Sequence, residues 1–133
     1  MLGSLDATGD TVVADFEAGI GTLTRLDAAT VDAVLIVAEP TPKSIEVAAR
    51  AAELARDKSL GRVIVVANRL RDTADHERVR EAFAGVEVVA VPEDPQVIEA
   101  DRAGQAPLDR APHSPAVRAL VAIAERLLTG RDA

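Results

Sequence analysis

The chain has 133 residues, 48% of them apolar and 28% charged, the balance of one globular domain rather than of a disordered chain. Fifteen basic against twenty-two acidic side chains leave a net charge of −7, which repels a nucleic-acid backbone, and two phenylalanines are too few for a base-stacking platform. There is no cysteine, which excludes disulfides and thiolate metal sites, and no apolar run is longer than that of Ala33–Ala38, far short of the roughly 20 residues of a membrane span.

Residues 1–9 read as a short N-terminal segment, 10–130 as one domain and 131–133 as a frayed tail. The first residues carry Asp6 and Asp10 but no basic residue, so no secretory signal is read and a cytoplasmic setting is expected. Four short runs rich in Val and Ile, with little polar alternation, predict buried parallel strands: Thr11–Ala14, Ala33–Ala38, Val63–Ala67 and Val86–Val91. Thr41 followed by Pro42 is a helix start, opening a helix to about Asp57 with Ile45, Ala48, Ala49, Ala52 and Ala55 on one face. A second helix is expected from Ala74 to Ala84, stopped by Gly85, and a short one after Pro95. The last, Pro115 to Leu128, carries Val117, Leu120, Val121, Ala124, Leu127 and Leu128 as a stripe for the core. Strands alternating with helices give an α/β fold with a mostly parallel sheet of about four strands.

Ligands of such sheets bind beyond the carboxyl ends of the strands. The segments there are Asp15-Phe16-Glu17-Ala18-Gly19, Glu39-Pro40-Thr41-Pro42-Lys43-Ser44, Asn68-Arg69-Leu70 and Pro92-Glu93-Asp94-Pro95. A carboxylate such as Asp15 four residues before Gly19 suits phosphate chemistry, holding Mg²⁺ while the glycine backbone approaches a terminal phosphate; the same aspartate could equally cap a turn. Asn68 offers donor and acceptor to a purine edge, or serves as a turn asparagine. Asp94 with Pro95 reads either as a helix cap or as part of a loop along a base. His76 and His113 have no second histidine at ligand spacing and are expected to be solvated.

As an ordered set, Val-Val-Ala-Asp-Phe-Glu-Ala-Gly-Ile-Gly, Val-Ala-Glu-Pro-Thr-Pro-Lys-Ser, Val-Val-Ala-Asn-Arg and Val-Pro-Glu-Asp-Pro resemble the second half of the MinD/ParA-type (SIMIBI) P-loop ATPases. Within that group the accessory ATPases of carbon monoxide dehydrogenase maturation (CooC-like) are the most similar. The resemblance covers Asp10 to about Leu128. It implies that Asp15 lies at the Mg²⁺ end of a switch strand and that Gly19 sits near the γ-phosphate. It further implies that Asn68 reads adenine and that Pro92, Glu93 and Asp94 run along the base. Glu17, Thr24 and Arg25 would belong to a loop that responds to nucleotide and faces a partner. The implied cofactors are ATP or ADP with Mg²⁺.

The sequence departs from that family in lacking any G-x-x-x-x-G-K-[ST] loop; its two lysines are Lys43 and Lys58, neither preceded by the required glycines. Independent ATP hydrolysis is therefore not expected of these residues, and nucleotide binding is expected to be weak or partner-dependent. Without the P-loop strand, the Asp15 strand and the Ala33–Ala38 strand should face each other across a gap, to pair directly or to take a strand from another chain. Self-association or a P-loop-bearing partner is the expectation, with no nucleic acid and no membrane. The main reading is a truncated or split ATP-binding domain, and the alternative a catalytically inactive interaction module derived from one. A flavodoxin- or receiver-like domain ranks third, since no lysine stands where a receiver needs it. The absence of cysteine separates the chain from nickel-handling relatives.

Overall fold

A computed structural model describes residues 10–16 and 31–129. Three parallel strands, β1 (Ala33–Ala38), β2 (Arg62–Leu70) and β3 (Glu87–Pro92), pair in the order β1-β2-β3. The register sets Leu35 beside Ile64 and Val37 beside Val66, and Val66 beside Val89. Three of the four expected strands are present. The fourth, Thr11–Ala14, is not a strand: residues 11–16 are exposed, Val13 by 88%, and they lie outside the sheet. The physical reason is that two adjacent valines between Asp10 and Asp15 fold as a strand only with a sheet edge to pair with and a layer to bury against. The direct pairing of that segment with β1 is thus not formed.

One face of the sheet is fully dressed. Helix α1 (Pro42–Asp57) starts where expected: the Thr41 hydroxyl accepts from the Ser44 N–H at 3.3 Å, and Pro42 occupies the first turn. It presents Ala48, Ala52 and Ala55 inward, small side chains that let the helix approach the sheet closely. Helix α2 (Thr73–Ala82) is capped by Asp72, which accepts from the Asp75 N–H at 2.8 Å. It ends two residues earlier than Ala84 because Phe83 leaves helical geometry to enter the core. Ile36, Ala38, Val65 and Ala67 pack there against Ala48, Ala52, Val79 and Phe83.

The turn from α1 into β2 requires a glycine. Gly61 has φ +87°, and a Cβ there would stand 2.4 Å from the Asp32 carbonyl oxygen.

The other face is dressed only in part. After α3 (Pro95–Arg102) and a single turn, α4 (Pro107–Arg110), helix α5 (Pro115–Thr129) lays Ala116 and Ile123 over Val66 and Val91. Arg126 reaches Glu87, which also receives two hydrogen bonds from Arg62 at 2.9 and 3.0 Å. The stripe expected to be core is only partly so. Val117 is buried and Leu127 half-buried, but Leu120, Val121, Ala124 and Leu128 are exposed. On β1 the same face leaves Leu35 43% and Val37 60% exposed, although their partners Ile64 and Val66 are buried. No helix among the described residues is long and apolar enough to cross a membrane.

Candidate functional site

Because the strands are parallel, their carboxyl ends meet on one edge. Glu39 follows β1, Asn68 and Arg69 lie near the end of β2, Pro92 ends β3, and Glu93 and Asp94 follow it. Asn68, Pro92, Glu93 and Asp94, the expected base-side residues, are therefore brought together. Asp15 lies on the exposed stretch 10–16, outside the sheet, and Glu17, Gly19, Thr24 and Arg25 lie outside the described residues.

The end of β2 is irregular. Ala67 faces Ala90, yet Leu70 faces Pro92, so β2 carries one extra residue here. The bulge is accommodated by Arg69 in the left-handed region, φ +58°. Asn68 is half-buried within it, and its side-chain amide makes no hydrogen bond to the described residues. Arg69 spans the edge. Its guanidinium donates to the Glu39 carboxylate at 3.3 Å and stands 3.6 Å from that of Glu93. The Glu93 N–H donates to the Leu70 carbonyl at 2.9 Å, fastening the loop after β3 to the bulge.

Asp94 has a different job from its neighbours. It is 6% exposed, and its two carboxylate oxygens serve two helices: one accepts from the Gln96 N–H at 2.9 Å to cap α3, the other from the Ala116 N–H at 3.0 Å in the first turn of α5. The Ala116 N–H above all, then that of Gln96, holds this carboxyl below the usual carboxylate range against the opposing effect of burial. The Ser114 hydroxyl adds a smaller effect without meeting full hydrogen-bond geometry.

A second buried acid lies behind the edge. Asp75 is 2% exposed, accepts from the Arg71 backbone N–H at 3.0 Å and from its guanidinium at 2.9 and 3.2 Å, and has Arg78 at 3.4 Å. The Arg71 side chain, then its backbone, lowers the Asp75 pKa. Arg78 also donates to the Pro40 carbonyl at 3.2 Å, tying α2 to the loop after β1. An open cavity of about 340 Å³ is lined by Leu70, Asp72, Thr73, His76, Ala90 and Pro92. His76, expected to be solvated, is half-buried in its wall, while His113 is exposed.

Sequence reasoning did not single out Arg69, Arg71, Asp75 or Arg78. For Arg69 a signal was available, since an arginine follows Asn68 and a glutamate ends each flanking strand.

The edge offers an amide, unengaged by the described residues, with donor and acceptor character between two carboxylates bridged by a guanidinium. That suits a flat, hydrogen-bonding heterocycle. It does not make a cradle for phosphates: Lys43 is exposed at the start of α1, and Ser44 of the same turn is engaged by the Glu39 N–H at 2.8 Å. No group of three potential metal ligands occurs among the described residues.

Three parallel strands with helices on both sides make an α/β domain whose carboxyl edge is the place where such sheets take ligands. No family model matches the chain. It is 37% identical over 100 residues to an uncharacterized ATP-binding protein of Methanocaldococcus jannaschii, the match covering 72% of this chain and 38% of the relative. Among solved structures it is similar to the MinD cell division protein of Aquifex aeolicus, with TM-score 0.59 and 26% identity over 74% of this chain and 44% of that one. The MinC:MinD complex of the same organism gives TM-score 0.56 and 26% identity, over 76% and 44%. The chain thus spans less than half the length of each of these relatives, and its fold is that of a MinD-type half domain.

Proposed function

We propose that this chain supplies the base-binding side of an ATP site and works with P-loop residues carried outside this sequence. The observation that carries the reading is the meeting of Asn68, Pro92 and Glu93 at the carboxyl edge of a MinD-like sheet. The description of the Methanocaldococcus relative as ATP-binding supports it. In this reading Asn68 pairs with the adenine edge and the Pro92–Glu93 backbone lies along it. Asp94 acts by holding that loop between two helices. Asp15 and Gly19 serve the Mg²⁺ and γ-phosphate side. The described residues fit the base but neither the phosphates nor the metal, so no hydrolytic step is assigned to them. ATP in quantity also goes with a cytoplasmic setting.

The surface that meets the partner is the undressed face of β1. Parallel sheets are covered on both faces, and the crossovers through α1 and α2 are on the far side. Exposed Leu35 and Val37 on β1, with exposed Leu120 and Leu128 on α5, supply the apolar surface for the partner. A second reading draws on the same surface: an interaction module that has lost catalysis, for which the MinC:MinD complex is the family precedent in assembly.

Calorimetric titration with ATP and Mg²⁺ tests the proposal. Binding is expected to be weak for the chain alone and to tighten when a P-loop-bearing partner is added, with Asn68→Ala abolishing the gain. A partner that binds equally well with and without ATP, and with Asn68→Ala, favours the interaction module.

A further inference from the structure

We infer that Arg69 is the positioning residue for base recognition, clamping the loops after β1 and β3 on either side of Asn68; this rests on the base-site reading above. The backbone poses the question. A φ of +58° is a conformation that glycine adopts freely and an arginine only against its preference, so a conformational role alone calls for glycine at this bulge. The side chain supplies what glycine would not. It joins Glu39 at 3.3 Å to Glu93 at 3.6 Å, the two residues that directly follow the outer strands. Asn68 lies between them on the central strand, its amide unengaged by the described residues.

Two consequences follow from the charges. Without the guanidinium, Glu39 and Glu93 would place two like charges at the mouth of the site and push the loops apart. They would also repel the phosphates of any nucleotide whose base docks on Asn68. With it, the rim carries one net negative charge and a fixed width. The Glu93 N–H bond to the Leu70 carbonyl transmits that width to the loop carrying Pro92 and Asp94. Since all three side chains are between 38 and 58% exposed, the clamp is modest and salt-sensitive rather than a source of fold stability.

The test uses the full chain with adenosine as probe, which needs no phosphate cradle, followed by the Asn68 side-chain amide resonances in NMR. Amide hydrogen exchange at Glu93 gives a second readout independent of ligand. Arg69→Ala and Arg69→Gly should weaken adenosine binding roughly two- to fivefold and speed Glu93 exchange by a similar factor at low salt. Both differences should vanish at about 1 M salt, and Arg69→Lys should recover part of each. Arg69→Gly behaving as wild type would overturn the inference, because the bulge alone would then suffice. Adenosine binding in the wild type that is indifferent to all three substitutions overturns it too, while leaving the base site standing. Failure of adenosine to move the Asn68 resonances at millimolar concentration would instead sink the base-site reading, and the role of Arg69 with it.

Discussion

Replacing Asp94 separates what this residue does for the fold from what its loop does for a ligand. In Asp94→Ala the cap of α3 is lost, which costs about 1 kcal/mol by the usual worth of an N-cap. The Ala116 N–H is lost as a partner as well. Ala116 is 3% exposed, so its donor has no ready access to water, and a buried unsatisfied donor costs about 1–3 kcal/mol. Together the change should destabilise the chain by about 2–4 kcal/mol, which at an ordinary urea m-value moves the unfolding midpoint by about 1–2 M. Asp94→Asn keeps one acceptor but turns an NH₂ toward a backbone donor, so it should fall between. The acid limb gives a second check. The folded carboxyl is depressed below its ordinary value, so its contribution is present above the unfolded pKa and is lost as pH falls through the folded one. Wild type should lose this increment below about pH 4, and Asp94→Asn should be flatter there. Urea titrations followed by circular dichroism at pH 7 and pH 3 measure both. A stability for Asp94→Ala within about 0.5 kcal/mol of wild type would refute the double-cap reasoning and leave Asp94 available to a ligand.

Gly61→Ala should destabilise by about 2–4 kcal/mol in thermal melts, because φ is +87° and the new methyl would meet the Asp32 carbonyl, which is itself held by the Arg62 N–H at 3.0 Å. Asp75 is also depressed, so its stabilisation likewise disappears as pH falls through its folded pKa; Asp75→Asn should flatten the acid limb and loosen α2, seen as faster amide exchange. Val37→Glu should leave stability within about 0.5 kcal/mol, since the side chain is 60% exposed, while abolishing association with a P-loop-bearing partner in a pull-down. Association that survives Val37→Glu would place the partner elsewhere.

The elements that sequence periodicity read well are those whose signals are local. Thr41-Pro42 and Asp94-Pro95 started helices as their cap chemistry demands, and Val63–Ala67 was legible as a buried strand because both of its faces are apolar. Thr11–Ala14 was read as a strand from composition alone, and composition says nothing about whether an edge is there to receive it. The α5 stripe failed in part for a related reason. Periodicity gives the width of an apolar face, not what lies opposite, and Leu120, Val121 and Leu128 have no covering layer among the described residues. At the site, the meeting of Asn68 with Pro92 and Glu93 was readable from the resemblance and from the carboxyl edge that all strands of a parallel sheet share. The left-handed backbone at Arg69 was not readable, because arginine carries no local signal for it and it goes with a register shift that only the paired strands define.

The same division runs through the molecule. Around the carboxyl edge each backbone terminus is satisfied from within: Thr41 caps α1, Asp72 caps α2, and Asp94 serves α3 and α5 together. Arg78 and Arg69 tie the loops after the three strands to one another. A base-side edge built this way keeps its geometry without help from phosphate contacts, because none of its bonds waits on them. The apolar side shows the reverse. Leu35 and Val37 belong to a parallel strand, a kind that is stable when covered on both faces, and here one face has no covering layer among the described residues. An internally tied carboxyl edge beside an exposed apolar surface is the arrangement that the proposed function requires of a half that specifies which nucleotide binds. The covering half would then supply the phosphate charge that makes binding strong.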